Sequence, residues 1–150
     1  MTAQATERLI YKGEKLSLCN EPLGPFIQNN RLSYKFDVTS TALWRGYIGT
    51  WTIEQNRLYL ISINGSVDME KLFPGFSGGV FAHWFTGKLR CPQGALLKYV
   101  HGGFGSVYEE DLFFDVAKGV VTNERLVRNG TAAPDASKGY TLAAATSIGD

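Results

Sequence analysis

The segment WRGYIGTWTIEQNRLYLISI, residues 44–63, constrains the fold of this chain more than any other stretch. Read as an extended strand, its first half presents one face made of Tyr47, Gly49, Trp51 and Ile53. Gln55-Asn56 occupies the position of a tight turn, and residues 57–63 return with the aromatic and β-branched residues that favour strands. The segment therefore predicts a β-hairpin at the centre of a β-sheet.

Short apolar segments punctuated by glycine, asparagine and proline continue on both sides of this hairpin. Strands are predicted near residues 8–12, 15–19, 31–36, 80–85, 87–90, 95–101, 106–116 and 120–127, although 80–85 also fits a short helical stretch. One short helix fits residues 68–73, with Asp68 as its N-cap. Serial hairpins without long helices predict an all-β or β-dominated α+β domain of about nine to eleven strands. We expect a chiefly antiparallel meander that forms a sandwich or an open barrel.

Prolines and charges mark the predicted interruptions of this pattern. Residues 20–25 contain two prolines, which lack the N–H that a central strand donates, so they predict a loop. The sequence CPQG at 91–94 predicts a turn between two strands. The acidic triplet at 109–111 predicts a β-bulge in a long strand.

The length of 150 residues suits one domain with a proper core. From Asn129 onward the composition changes to alanine, threonine, serine and glycine, with few large apolar residues. We therefore predict a β-rich domain over 1–128 and a C-terminal tail over 129–150, which is mobile over 129–139 and could dock on the body through residues 140–142. Hydrophobic residues at 44% and charged residues at 19% are typical of soluble globular proteins.

The charge and cysteine content exclude several classes of function. The net charge of +1 provides no global field for nucleic acid or an anionic membrane. No apolar run reaches the roughly 18 to 20 residues of a membrane-spanning helix, and residues 1–8, which lack a basic start and an apolar stretch, predict no signal peptide. Cys19 and Cys91 are too few for a zinc or disulfide framework, so we expect two buried free thiols in a cytoplasmic protein. No motif predicts a metal or a cofactor.

Three segments, WRGYIGTW, HWFTGKLRCPQG and YVHGGFGSVYEEDL, carry a resemblance to known sequences. They resemble stretches of uncharacterised bacterial proteins of similar size, and together they cover about half of the chain. The resemblance implies a bacterial or phage setting and a cytoplasmic, stand-alone domain. It implies no activity, cofactor or site residue.

The two histidines, His83 and His101, are the first candidates for chemistry. As a pair they could supply an acid and a base or ligate a metal with carboxylates from Glu109, Glu110 and Asp111, although this spacing matches no known metal site. Two-histidine phosphoesterases carry a hydroxyl residue two positions after each histidine, whereas this chain has Phe85 and Gly103 there. The alternative is one histidine in the core and one at the end of a strand. The run HGGFGS precedes a strand rather than a helix, so it predicts a turn and not a phosphate-binding loop.

Aromatic residues are the most suggestive feature for binding. Arg45 lies between Trp44 and Tyr47, where a guanidinium could stack on a ring and reach an anionic ligand. The alternative is an aromatic-filled core in which Arg45 pairs with Glu109 or Glu110. If a pocket exists, we expect it where the central hairpin approaches the glycines at 102–105. Its predicted residues are Arg45, His101, Tyr108, Trp44, Tyr47 and Glu109.

These observations lead to two functional hypotheses. The first is a non-catalytic binding domain for a protein partner or a small anionic ligand, in an immunity, anti-defence or sensor role. The second is a small hydrolase or transferase that uses His83 or His101 with Glu109, Glu110 or Asp111. The positions of the histidine and acidic side chains in the fold discriminate between the two.

Overall fold

The computed structural model describes residues 4–29, 47–65, 69–76 and 78–132 of the chain. These residues form eight strands and two short helices: β1 Glu7–Tyr11, β2 Glu14–Leu18, α1 Leu23–Asn29, β3 Tyr47–Glu54, β4 Arg57–Gly65, α2 Met69–Leu72, β5 Val80–Phe81, β6 Gly87–Lys98, β7 Val107–Ala117 and β8 Val120–Arg128. The strands form one sheet in the order β2-β1-β3-β4-β8-β7-β6, and β5 pairs with β4. The predicted β-dominated fold and the predicted short helix near 68–73 are confirmed, while its predicted N-cap, Asp68, lies outside the described residues.

Three hairpins are closed by two-residue turns in the left-handed backbone region. The turn residues are Lys12-Gly13, Gln55-Asn56 and Lys118-Gly119, with φ values between 47° and 83°. Positive φ at both central residues defines a turn whose twist matches that of the two strands it joins. The predicted turn at Gln55-Asn56 is thus confirmed, and it sets the antiparallel register of β3 with β4.

The sheet is mixed and curls into an open barrel. β1 pairs with β3 in parallel, whereas the other pairings are antiparallel. Its two end strands approach each other where the Cys19 N–H donates to the Arg90 carbonyl over 2.8 Å. The Asn20 side chain extends this contact, since it donates to the Lys88 carbonyl over 3.0 Å and accepts from the Arg90 N–H over 2.7 Å. One amide side chain therefore caps part of the edge of β6.

The core lies inside this curled sheet. Trp51 is fully buried, and Tyr47 and Ile53 are buried beside it, as the alternation along β3 predicts. The Trp84 ring packs against Trp51 with centroids 6.5 Å apart and stacks on Phe73 at 5.8 Å. The aromatic residues of the central hairpin thus serve largely as core.

The predicted loop over 20–25 is wrong in part, because α1 begins at Leu23. Pro22 precedes the helix, and Pro25 is its third residue. The first N–H groups of a helix have no intrahelical acceptor, so a proline in the first turn removes no helical hydrogen bond. Phe26 and Ile27 pack against the core, which holds this short helix in place.

The predicted turn at 91–94 is also wrong. β6 runs unbroken from Gly87 to Lys98, with Pro92 opposite Asp111 on β7. β6 is an end strand of the sheet, where a proline is tolerated because the missing N–H can face away from the neighbouring strand. A register shift follows Gln93, so the predicted bulge lies on β6, opposite Glu109, rather than in the acidic triplet itself.

Several predicted strands merge, shorten or lie elsewhere. The segments predicted at 87–90 and 95–101 join into β6, and the segment at 80–85 is a strand only over Val80–Phe81. Eight strands are therefore present in the described ranges, fewer than the nine to eleven expected. The strand predicted at 31–36 lies outside the described residues.

Candidate functional site

A cavity of about 230 Å³ lies beside the glycine-rich corner at residues 102–105. Its walls include Thr6, Ser17, Cys19, Gln93, Phe104 and Tyr108. They come from the open end of the first hairpin, from β6 beside its bulge, from the glycine-rich corner and from the start of β7. We call this cavity the corner pocket. None of its described lining residues carries a formal charge.

Arg90 holds the glycine-rich corner against the sheet. Its Nε donates to Asp111 Oδ1 over 2.8 Å, and its Nη1 and Nη2 donate to the carbonyls of Phe104 and Ser106 over 2.6 and 2.7 Å. A planar guanidinium can satisfy three acceptors at once because its N–H groups diverge in a fixed fork. The wall of the corner pocket formed by Phe104 therefore depends on a side chain from β6.

Glu109 supports the pocket from behind. Its Oε1 accepts from the Ala95 N–H over 2.9 Å, in the bulge of β6, and its Oε2 accepts from the Ala132 N–H over 2.8 Å. Gly94 in the same bulge has φ +85°, and a Cβ there would lie 2.5 Å from Glu109 Oε1. The Ala132 N–H, followed by that of Ala95, lowers the pKa of the Glu109 carboxyl.

Because the pKa of Glu109 is lowered in the folded state, its ionised carboxylate stabilises the fold, and acid should remove this stabilisation. The contribution is complete above the ordinary glutamate pKa of about 4.3 and is lost as the pH falls through the lower folded-state value. We therefore expect wild type to be more stable than Glu109→Gln at pH 7, by a margin that shrinks at about pH 3. Urea unfolding of both proteins at the two pH values measures this margin. A margin that does not change with pH would contradict the assignment.

The other two acids of the triplet also make structural contacts. Glu110 Oε2 lies 3.1 Å from Arg128 Nη2. Asp111 is buried, where it accepts from Arg90 and, through Oδ2, from Asn129 Nδ2 over 2.9 Å. The three carboxylates of the triplet thus have three different sets of partners. This arrangement does not assemble them with a histidine.

The histidines lie apart from the corner pocket. His83 is exposed, with its ring centroid 5.5 Å from that of Trp84. His101 is exposed and packs edge-on against Tyr99 at 4.7 Å. Neither lines the corner pocket, and no group of three or more metal-ligating side chains occurs in the part of the chain that the structure describes.

Both cysteines are free thiols as predicted, but the predicted burial holds for Cys91 and not for Cys19. Cys91 is buried, and burial raises the pKa of its thiol to about 12. Cys19 is half-buried in the pocket wall, and burial is the largest cause that raises its pKa. A raised pKa keeps a thiol protonated near neutral pH, whereas a nucleophilic cysteine must be a thiolate. The pocket thiol is thus poorly suited to attack a ligand.

The structure places the predicted site residues in several different positions. Tyr108 lines the corner pocket, while Glu109 lies behind its wall and His101 is outside it. Tyr47 is buried in the core, with 3% of its surface exposed. Trp44 and Arg45 lie outside the described residues.

The sequence reasoning missed Thr6, Ser17 and Gln93 as pocket residues. They are separated by up to 87 positions along the chain and belong to no motif. Only the approach of β2 to β6 brings them together. The sequence predicts a pocket between the central hairpin and the glycine-rich corner. Tyr108 and the corner do line the corner pocket, but no described residue of β3 or β4 does.

The first residues of the predicted tail bond to β7. The Asn129 N–H donates to the Glu109 carbonyl over 2.7 Å, and Asn129 Nδ2 donates to the Tyr108 carbonyl over 2.9 Å. With the Ala132 contact to Glu109, residues 129–132 are attached to the sheet. The tail from 133 to 150 lies outside the described residues, and the division at 128/129 stays a prediction.

Comparisons with known proteins found no relative: no protein-family model, curated protein or solved structure matches this chain. In the described part of the chain, no helix has the length and apolar character needed to cross a membrane.

Proposed function

We propose that this domain is a non-catalytic binding module that holds a small, uncharged polar molecule in the corner pocket. The observation that carries the proposal is a set of half-buried or exposed polar side chains on the pocket wall: Thr6, Ser17, Gln93 and Tyr108. Within the described residues, these side chains have no hydrogen-bond partner. Hydroxyl and amide groups that face a common cavity without protein partners can bond to a ligand there.

The side chains that line the corner pocket favour an uncharged ligand that contains a ring. Phe104 and Tyr108 offer apolar ring surfaces, while the hydroxyl and amide groups both donate and accept. The anion expected from the sequence depended on Arg45, which lies outside the described residues, and the described lining contains no cation. The volume of about 230 Å³ is below the roughly 300–1,000 Å³ of pockets for drug-sized ligands, which favours a single sugar ring or nucleobase.

The proposal is for a non-catalytic module because the carboxylates of residues 109–111 make structural contacts and the pocket thiol is protonated. The hydrolase hypothesis needs a histidine beside Glu109, Glu110 or Asp111, and these acids bond to backbone N–H groups, to arginines or to Asn129. The pocket thiol of Cys19 has a raised pKa. A role as a sensor of a small metabolite fits such a pocket better than an immunity or anti-defence role.

A conservative substitution in the pocket tests this proposal. The probes are monosaccharides (glucose, galactose and N-acetylglucosamine) and nucleosides (adenosine and cytidine), titrated by calorimetry. Tyr108→Phe keeps the ring and removes one hydroxyl, and we expect about 3- to 10-fold weaker binding, the equivalent of one hydrogen bond. The matched control is Tyr99→Phe, since Tyr99 is exposed and does not line the pocket.

The expected pattern is weaker binding in Tyr108→Phe and wild-type affinity in Tyr99→Phe. Equal affinity in all three proteins would place the binding site elsewhere. The absence of binding by every probe at about 10 mM would contradict the proposed ligand class, since even a 1 mM dissociation constant would be detected there.

A further inference from the structure

One edge of β8 has no partner strand over most of its length in the part of the chain that the structure describes. Among the described residues, β8 pairs along one side with β7 and touches β4 only where Val120 lies opposite Arg57. The Asn129 N–H bonds toward β7, and the direction of backbone groups alternates along a strand. The N–H and C=O groups of Glu124, Leu126 and Arg128 therefore point away from β7. We call this the open edge of β8.

The open edge also carries exposed apolar side chains. Five large hydrophobic residues are exposed in the described ranges, and three of them, Val120, Leu126 and Val127, lie on β8. Leu126, at the middle of the open edge, is 52% exposed. An uncovered strand edge with exposed apolar side chains is a template for pairing with another strand.

We propose that two copies of this chain associate through the open edge of β8, with the two strands antiparallel. The two-fold axis passes between Leu126 and Leu126 of the second copy. In this register Glu124 lies opposite Arg128 of the second copy, and Arg128 lies opposite its Glu124. Every outward-facing backbone group over 124–128 then meets a partner, which gives about six hydrogen bonds between the strands.

The charges of the strand select this register. An axis at Glu124, Arg125 or Arg128 would place two like charges directly opposite each other, which destabilises a strand pair. An axis at Val127 would place Leu126 opposite Arg128, and it forms no pair of opposite charges. Only the axis at Leu126 combines an apolar pair with two pairs of opposite charge. The sequence of the open edge is thus complementary to itself.

Glu124 and Arg128 each have a partner within the chain, and each keeps hydrogen-bonding groups free for a second copy. Glu124 accepts from the Tyr11 hydroxyl over 2.5 Å through Oε1 alone. Arg128 contacts Glu110 through Nη2, which leaves other N–H groups of its guanidinium for a second carboxylate. A single strand pairing buries less than the roughly 1,200 Å² of a stable interface, so the dimer should be weak and dependent on concentration.

Charge reversal tests the proposed register. Sedimentation velocity from about 1 µM to about 1 mM covers the dissociation constants of weak interfaces. We expect wild type to dimerise within this range. Glu124→Arg and Arg128→Glu should each weaken the dimer about tenfold or more, because like charges then face each other across the axis. The double variant restores opposite charges, and we expect its affinity to return to within about threefold of wild type.

Two controls keep these outcomes interpretable. Lys15→Glu changes the net charge as Arg128→Glu does, on an exposed residue of β2, and should dimerise like wild type. Melting temperatures verify that each variant is folded, since Arg128→Glu also brings a carboxylate beside Glu110. A monomeric wild type at every concentration would overturn the proposal. Single variants that dimerise like wild type, or a folded double variant that does not recover, would also overturn it.

Discussion

Trp51→Ala is expected to lower the free energy of unfolding by about 4–8 kcal/mol, a large part of the roughly 5–15 kcal/mol of a typical domain. The Trp51 ring is fully buried, so its removal costs about 3–5 kcal/mol of lost burial and cavity formation. Its Nε1 also donates to Glu7 Oε1 over 2.9 Å, and this carboxylate is itself fully buried. Loss of the donor to a buried carboxyl oxygen adds about 1–3 kcal/mol.

Chemical denaturation of three variants separates these contributions. Trp51→Phe keeps most of the ring volume and removes the donor to Glu7, so its effect should be about half that of Trp51→Ala. Phe76→Ala is the control, because Phe76 is 56% exposed and its truncation should change stability by less than about 0.5 kcal/mol. A Trp51→Ala protein with the denaturation midpoint of wild type would show that this face is not the core.

Arg90→Ala should lower the free energy of unfolding by about 3–5 kcal/mol, because it removes one partner of a largely buried ion pair. Asp111 is 7% exposed, and loss of the guanidinium leaves its carboxylate with the Asn129 amide as its remaining described partner. The carbonyls of Phe104 and Ser106 also lose their donors. Because these residues form the pocket wall, ligand binding should weaken in the folded fraction as well.

A surface arginine provides the matched control for Arg90. Arg128 pairs with Glu110, but its side chain is 76% exposed, so Arg128→Ala should change stability by about 1 kcal/mol or less. Arg90→Lys keeps the charge and loses the planar fork, and we expect a stability between those of wild type and Arg90→Ala. Equal effects of Arg90→Ala and Arg128→Ala in urea unfolding would contradict the role given to Arg90.

The central hairpin was predictable from sequence because its signals are local. Alternation along β3 places Trp51 on the buried face, and Gln55-Asn56 marks the turn within a few residues of both strands. The hairpin of β7 and β8 follows from the same kind of pattern. In each case the pattern and the paired strands lie within about 20 residues of each other.

The pocket and its supports could not be predicted, because they depend on contacts between distant segments. The sequence draws attention to Arg45 among aromatic residues, whereas the described guanidinium that shapes the site is Arg90, through partners 14 to 21 positions away. In the sequence, Glu109 is a candidate catalytic residue. In the structure, its carboxylate accepts a hydrogen bond from the Ala95 N–H in the bulge of β6, a contact that the local sequence does not indicate. Prolines led to the prediction of a loop and a turn where α1 and β6 lie. The effect of a proline depends on its position within a helix or strand, which the sequence does not give.

The measurement that most directly tests the central claim is a map of backbone amide shifts in a two-dimensional ¹⁵N–¹H NMR titration. The full chain is titrated with the probe that binds most tightly in the calorimetric panel. Ligand in the corner pocket should shift the amides of Gln93, Gly94, Gly103 and Tyr108 and leave those of Glu124 to Arg128 unchanged. Shifts confined to residues away from the corner pocket would contradict the account.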